Sequence, residues 1–259
     1  MRFSGATMLA MSTPSWSQEA PQQLPTRPVP GTDKQMAIVG LGNSSAFRSG
    51  DREVASNVLE LYLSYGGNYV DVGGPSAAFV GQLGREMGKT EQLFLGNYVD
   101  PGDASAMRNY VIDMARVQGK PSLDLVHTRD LDGFRSQHAV YADLKEDGLV
   151  NFIGVARSGY RSFDAISRLV DEGLVDFIQV NYSMIEPEAG ERLLPLAMDK
   201  GVGVSISRPF LNGNYFQLTR GLDLPEWAAE FECDSWAQFS LKYILSHPAV
   251  NCVLTETTN

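Results

Sequence analysis

The chain has 259 residues, enough for one large hydrophobic core and close to the length at which a closed α/β barrel forms as a single domain. Hydrophobic residues make up 43% and charged residues 20%, an ordinary globular composition that argues against both a disordered chain and an integral membrane protein. With 31 acidic against 21 basic residues the net charge is −10, so there is no excess of cations for a phosphate backbone and nucleic acid is not an expected partner.

Residues 1–17 carry one cation, Arg2, then a short, weakly apolar stretch and small residues around Ser15 and Ser17, the outline of a short secretory signal. The residues leave open whether this is an export segment, with a periplasmic or secreted product, or the tail of a cytoplasmic protein. Residues 18–30 turn to Gln, Pro and Glu, which cannot bury enough apolar surface to offset ordering entropy. The expected organisation is therefore a signal-like segment and disordered linker over 1–30 and one folded domain over 31–259. No run reaches the ~18 apolar residues of a membrane-spanning helix, so no membrane partner is expected.

From there short β-branched runs alternate with segments of helical period, the pattern of a parallel sheet. Strands are predicted at 36–41, 69–72, 93–98, 124–128, 152–156, 177–182, 202–207 and 251–254. Helices are predicted at 52–65, 77–87, 104–117, 137–146, 163–172, 188–199 and 226–245. The first helix places Val54, Val58, Leu61 and Leu63 or Tyr65 roughly on one face and stops at Gly66-Gly67; Pro248 closes the last. Eight strands with seven intervening helices fit a (β/α)8 TIM barrel better than an open sheet. The chain stops at Asn259, five residues past the final strand, so the expected barrel lacks its final helix. An apolar flank would then be left uncovered, and a homo-oligomer is one way to cover it. Cys233 and Cys252 have neither CxxC nor Cys/His spacing and read as core thiols, with no metal site expected.

Barrel enzymes carry their reactive groups at the C-terminal ends of the strands. Here those ends present Asp71, Asn97, His127, Ala156, Gln179, Asn181 and Arg208. Taken alone, His127 could equally be a hydrogen-bonded core histidine, and Asp71 a buried carboxylate accepting from backbone amides.

Several of these positions sit in segments that resemble the aldo/keto reductases. Asn68-Tyr69-Val70-Asp71 followed by Leu83-Gly84 resembles that family's motif of an Asp, a Tyr-Gly and a Leu-Gly in fixed register. Leu123-Asp124-Leu125-Val126-His127 resembles its strand ending in the active-site His, and Phe152-Ile153-Gly154-Val155 its Ile-Gly-Val-Ser strand. Gln179-Val180-Asn181-Tyr182 and Gly201-Val202-Gly203-Val204, with Arg208-Pro209-Phe210, continue the order to the end of the chain. The resemblance implies an NADP-dependent oxidoreductase that transfers hydride to a small-molecule carbonyl. Its Tyr donates the proton, Lys and Asp adjust that Tyr, and His orients the carbonyl.

The departures fall on the proton donor. Ser76 stands at the register of the Tyr and Asn97 at that of the Lys, leaving Asp71 and His127. A phenol approaches a useful pKa only beside a cation, and Ser76 with Asn97 offers neither partner. Tyr98, next to Asn97 on the strand, is expected to point to the opposite face. His127 then becomes the candidate donor. For the cofactor, the resemblance places Gln179 against the nicotinamide amide, with Asn181 on the same strand, and Arg208 near the pyrophosphate. Ala156-Arg157 replaces a Ser-Asn pair, and Ser207 replaces a stacking aromatic. Phe210, Tyr215 and Phe216 suggest an apolar pocket wall. Three readings follow: an oxidoreductase with an altered proton donor, a non-catalytic barrel that keeps its pocket for a ligand or partner, or a nucleophilic triad of Ser76, His127 and Asp71, for which no oxyanion loop is evident.

Overall fold

The structure, a computed structural model, describes residues 23–255. It opens with a hairpin outside the barrel, in which β1 (Thr26–Pro28) pairs antiparallel with β2 (Gln35–Ala37). Part of the expected disordered linker is therefore ordered, because a short polar segment can borrow partners from the rest of the fold. The Arg27 guanidinium donates to the backbone carbonyls of Leu245, at 2.6 Å, His247, at 3.1 Å, and Val250, while Val29 is buried. The signal-like segment, and the linker up to residue 22, lie outside the described residues.

The barrel begins with β3 (Val39–Leu41), so the strand expected over 36–41 is split at Ile38 between two sheets. The helices α1 (Ser45–Arg48) and α2 (Arg52–Ser64) lead to β4 (Tyr69–Asp71), and α3 (Pro75–Glu86) leads to β5 (Phe94–Tyr98). Next come α4 (Ala104–Gln118), β6 (Leu123–Thr128), α5 (Leu131–Ser136), α6 (His138–Glu146) and β7 (Val150–Ala156). The second half runs α7 (Phe163–Asp171), β8 (Phe177–Asn181), α8 (Leu193–Asp199), β9 (Gly203–Ser207), α9 (Asn214–Leu218), α10 (Trp236–Ser246) and β10 (Cys252–Thr255). The eight strands β3 to β10 are parallel and close on themselves, β10 pairing with both β9 and β3. Whether a helix follows β10 concerns positions past Thr255, outside the described residues.

Helix starts follow local chemistry. Asp51 and Asp103 accept from the amides of Val54 and Ala106 at the N-termini of α2 and α4, and Gly119 closes α4 at φ 70°, in the left-handed region that glycine reaches without strain. The single helix expected over 226–245 is broken. Glu226–Phe231 forms a 3-10 segment, Glu232 turns left-handed at φ 53°, and α10 restarts where the Ser235 hydroxyl accepts from the Gln238 amide. The stretch expected over 188–199 likewise opens as a 3-10 turn, Glu188–Gly190, before α8.

Along each barrel strand side chains alternate between two cores. Tyr69, Phe94, Leu125, Phe152, Phe177, Cys252 and Leu254 fill the barrel interior, whereas Val70, Leu95, Val126, Ile153, Ile178, Val204 and Val253 pack outward under the helices. Gly154 marks a close approach of two strands, since a Cβ there would lie 2.2 Å from the Phe177 carbonyl oxygen. The alternation decides which residues reach the mouth: one or two inward positions beyond the aromatic floor stand Asp71, Tyr98, His127, Gln179 and Ser205.

Candidate active site at the barrel mouth

At the C-terminal ends of the strands Asp71 receives two hydrogen bonds. His127 Nε2 lies 2.9 Å from its Oδ1, and the Tyr98 hydroxyl donates to its Oδ2 over 3.1 Å. Gln179 Nε2 donates to the same Tyr98 hydroxyl over 3.2 Å, and the Ser205 hydroxyl donates to Gln179 Oε1 over 3.4 Å. Strand register explains the grouping, because Tyr98 pairs with His127 across β5 and β6, and Gln179 with Ser205 across β8 and β9. Above this layer the Arg129 guanidinium lies 4.0 Å from the centre of the Tyr98 ring. Burial and then the Asp71 charge push the Tyr98 hydroxyl's pKa well above the ordinary phenol value, while Arg129 pulls against them.

A cavity of about 720 Å³ opens over the layer, within the range of small-molecule sites. Asp71, Tyr98, Gln179, Ala156, Ser207 and Arg208 line it, with Arg129 and Arg157 on one wall and Phe210 and Phe216 on another. Tyr215, the third aromatic expected on that wall, is instead buried with its hydroxyl on the Trp236 carbonyl. The loop after β9 is strained. Arg208, directly before a proline, sits at φ 57°, and Leu211 and Asn212 are also left-handed. Arg208 Nε is buried without a hydrogen-bond partner, and the guanidinium is otherwise 3.7 Å from Glu186.

Other expected site residues lie elsewhere. Asn97 faces the helix layer, fully buried, where Gln118 of α4 donates to its Oδ1 over 2.7 Å. The expectation that Asn97 takes the mouth and Tyr98 the outer face is thus reversed, because β5 counts inward from Phe94 through Gly96 to Tyr98. Ser76 is buried near the start of α3, is not part of the cavity wall and makes no hydrogen bond to His127, so no nucleophilic triad is assembled. Asn181 turns its amide to the Gly159 N–H, at 2.6 Å, and to Glu186, at 2.8 Å, away from the cavity. His127, only 1% exposed, sits behind Tyr98 and Asp71 rather than on the wall. Among the described residues no group of three or more His, Cys, Asp or Glu side chains could hold a metal, and no helix is long and apolar enough to cross a membrane.

Two residues of this arrangement carried no signal in the sequence: Arg129 and Ser158 lie in loops past the strand ends, where no period applies, whereas Arg157 was marked only as part of the replaced Ser-Asn pair. The folded strand shows why Tyr98 belongs here: a Cβ at Gly96 would meet Asp71 Oδ1 at 2.5 Å, so Gly96 lies under the carboxylate and the residue two further on shares its face.

Comparison with known proteins agrees with this architecture. The holo form of the aldo-keto reductase AKR11C1 from Bacillus halodurans superposes with a TM-score of 0.73 at 19% identity, covering 92% of this chain and 87% of its own. An aldo/keto reductase from Klebsiella pneumoniae, solved in complex with NADP and acetate, gives 0.72 at 19% identity over 92% and 85%. At such identity these likenesses speak for the fold alone. A search of curated proteins returns no match. The family model of the aldo/keto reductases, however, matches residues 38–259, the whole barrel from the residue before β3 onward, and on that match this chain belongs to the aldo/keto reductase family.

Proposed function

We propose that the cavity binds a nicotinamide dinucleotide, NADP or NAD, and that the protein reduces a small carbonyl compound, with Tyr98 as the altered proton donor. The observation that carries this reading is the Tyr98 hydroxyl on the cavity wall, held between Asp71 Oδ2 and Gln179 Nε2. It is a phenol at the barrel mouth, supplied by β5 instead of the register of Ser76. His127, recessed behind it, is better placed to orient Asp71 than to meet a substrate.

The lining suits the cofactor in part. Arg208 offers a buried, unpartnered Nε–H to a phosphate oxygen, and Gln179 keeps one amide N–H free beyond its bond to Tyr98. Ala156 and Ser207 offer less than the Ser-Asn pair and aromatic they replace. A bound dihydronicotinamide supplies the hydride; the chain's own residues handle the proton and the orientation. The Tyr98 hydroxyl turns from Asp71 to the carbonyl oxygen and gives up its proton as that oxygen becomes an alcohol. The Gln179 N–H and the Arg129 guanidinium then face the phenolate and stabilise it, while Asp71 opposes it.

The second reading, a barrel that binds a ligand without turnover, has one observation in its favour: the Tyr98 hydroxyl and the His127 ring are both turned onto Asp71, and the Tyr98 pKa is raised. One experiment separates them. NADPH and NADH are titrated against tryptophan fluorescence, and NADPH oxidation is followed with a panel of aldehydes and ketones for the wild type and Tyr98→Phe. Saturable binding, with turnover that falls about 100-fold or more in Tyr98→Phe, supports the reductase. Binding without turnover supports the second reading. No binding up to about millimolar cofactor removes both the cofactor and the reductase.

A further inference from the structure

We infer that the substrate or ligand of the mouth carries an anionic group, a carboxylate in the simplest case, and that Arg129 and Arg157 hold it. The inference deepens the proposed function by naming the substrate class, and it rests on that reading for the carbonyl alone.

The chain is strongly acidic overall, with a net charge of −10, yet the charged residues that line the mouth cavity are three arginines and Asp71. Asp71 already accepts from both Tyr98 and His127. Arg208 has Glu186 within 3.7 Å and is the residue suited to a cofactor phosphate. Arg129 and Arg157 are different. Among the described residues neither has a carboxylate within 4.0 Å; Arg129 rests on the Tyr98 ring, and Arg157 reaches only the Arg129 carbonyl, at 3.5 Å.

Their position fits a substrate clamp. Arg129, Arg157 and Ser158 also line a second, neighbouring cavity, so they form the wall between the two. That second cavity contains three carboxylates, two of which have partners: Asp100 accepts from the Thr128 hydroxyl, and Asp130 accepts from the Gly133 amide at the start of α5. The third, Asp132, shares that cavity with Arg161, with no ion pair between them within 4.0 Å. Resting on the Tyr98 ring leaves the in-plane N–H donors of Arg129 free, Arg157 commits one donor to the Arg129 carbonyl, and two guanidiniums on one wall match the paired oxygens of a carboxylate. Because Arg129 lies over the ring whose hydroxyl faces the cavity, an anion held there sets the carbonyl of the same molecule near Tyr98.

The test compares 4-carboxybenzaldehyde with its methyl ester, which differ in charge and share the carbonyl. Each is titrated calorimetrically into the wild type, Arg129→Gln, Arg157→Gln and the double variant, with and without NADPH, at low and high salt. Both arginines are exposed, and thermal melts confirm that the variants are folded. The acid is expected to bind about tenfold or more tightly than the ester, with an advantage that shrinks in salt and disappears in the double variant. Equal affinity for acid and ester, failure of the acid to bind, or a preference unchanged in the double variant would overturn the inference. An acid preference that persists where NADPH fails to bind would sink the proposed reductase and leave the anion site standing.

Discussion

Replacing Asn97 by lysine tests which way β5 faces. If Asn97 occupied the mouth, Asn97→Lys would restore a cation beside Asp71 and be tolerated. In the structure Asn97 is fully buried under α4 and accepts from Gln118 over 2.7 Å. The substitution removes that acceptor, leaving a buried amide N–H unsatisfied at a cost of about 1–3 kcal/mol. It also drives an ammonium into the buried layer between β5 and α4, where Gln118 Oε1 is a free acceptor but a neutral one, and a buried charge held by neutral acceptors alone costs several kcal/mol more. A total of roughly 4–7 kcal/mol is a large share of the ~5–15 kcal/mol that holds a domain together. For a chain of this size it lowers Tm by roughly 10–25 °C. Tyr98→Lys puts its ammonium next to Asp71 at the open end of the barrel, where a carboxylate waits, so it is expected to melt well above Asn97→Lys. Thermal unfolding followed by circular dichroism, with Asn97→Ala as the control for the lost hydrogen bond, decides it. An Asn97→Lys protein that melts like the wild type, or above Tyr98→Lys, would refute the assignment of faces and with it the role given to Tyr98.

Arg27→Ala removes the donor shared by three carbonyls at the end of α10 and is expected to destabilise the protein by about 2–4 kcal/mol in urea unfolding. Arg27→Lys should recover little, because one ammonium cannot reproduce the guanidinium fork. Gly154→Ala would set a Cβ 2.2 Å from the backbone oxygen of Phe177, which has no rotamer to escape through. A loss of about 3 kcal/mol or more is expected, and a wild-type Tm would contradict the strand packing described. Burial, and then Arg27, lower the His247 pKa below its ordinary value, so the unfolded chain binds a proton more readily there than the folded one. The His247 contribution to stability is therefore present above the unfolded pKa near 6.5 and lost as pH falls through the lower folded pKa. Wild-type Tm measured downward from pH 7 should fall more steeply than that of His247→Gln, and parallel curves would show that His247 does not contribute.

The strands and their order were legible because each β-branched run is separated from the next by a helix-period segment, the one arrangement that forces parallel pairing. Breaks within elements were not. Ile38 divides one apolar run between two sheets, and Glu232 with the Ser235 cap divides a helix whose hydrophobic period runs on across the gap. At the site, Asp71 and Gln179 follow from their positions at strand ends, but β5 hides its parity. A barrel strand is buried on both faces, so Phe94 and Leu95 are equally apolar and no alternation shows which side faces in. A shift of one residue exchanges Asn97 for Tyr98 and changes the chemistry inferred for the mouth.

That exchange also redefines what the loss of the proton donor means. A serine at the register of Ser76 and an uncharged residue at Asn97 describe a site that has lost its phenol and the cation beside it. The folded mouth has both, from other positions: the phenol of Tyr98 and the guanidinium of Arg129 resting on its ring. What opposes them is burial first and then Asp71, which together raise the phenol's pKa, Asp71 also holding its proton. The choice between a reductase and a silent barrel therefore turns on whether a bound carbonyl draws the Tyr98 hydroxyl off Asp71. An anionic substrate seated on Arg129 does not help through charge alone, since it offsets the cation that favours the phenolate. It helps through position, by holding the carbonyl oxygen against the hydroxyl, so binding and turnover at this mouth should respond differently to the same arginine substitution.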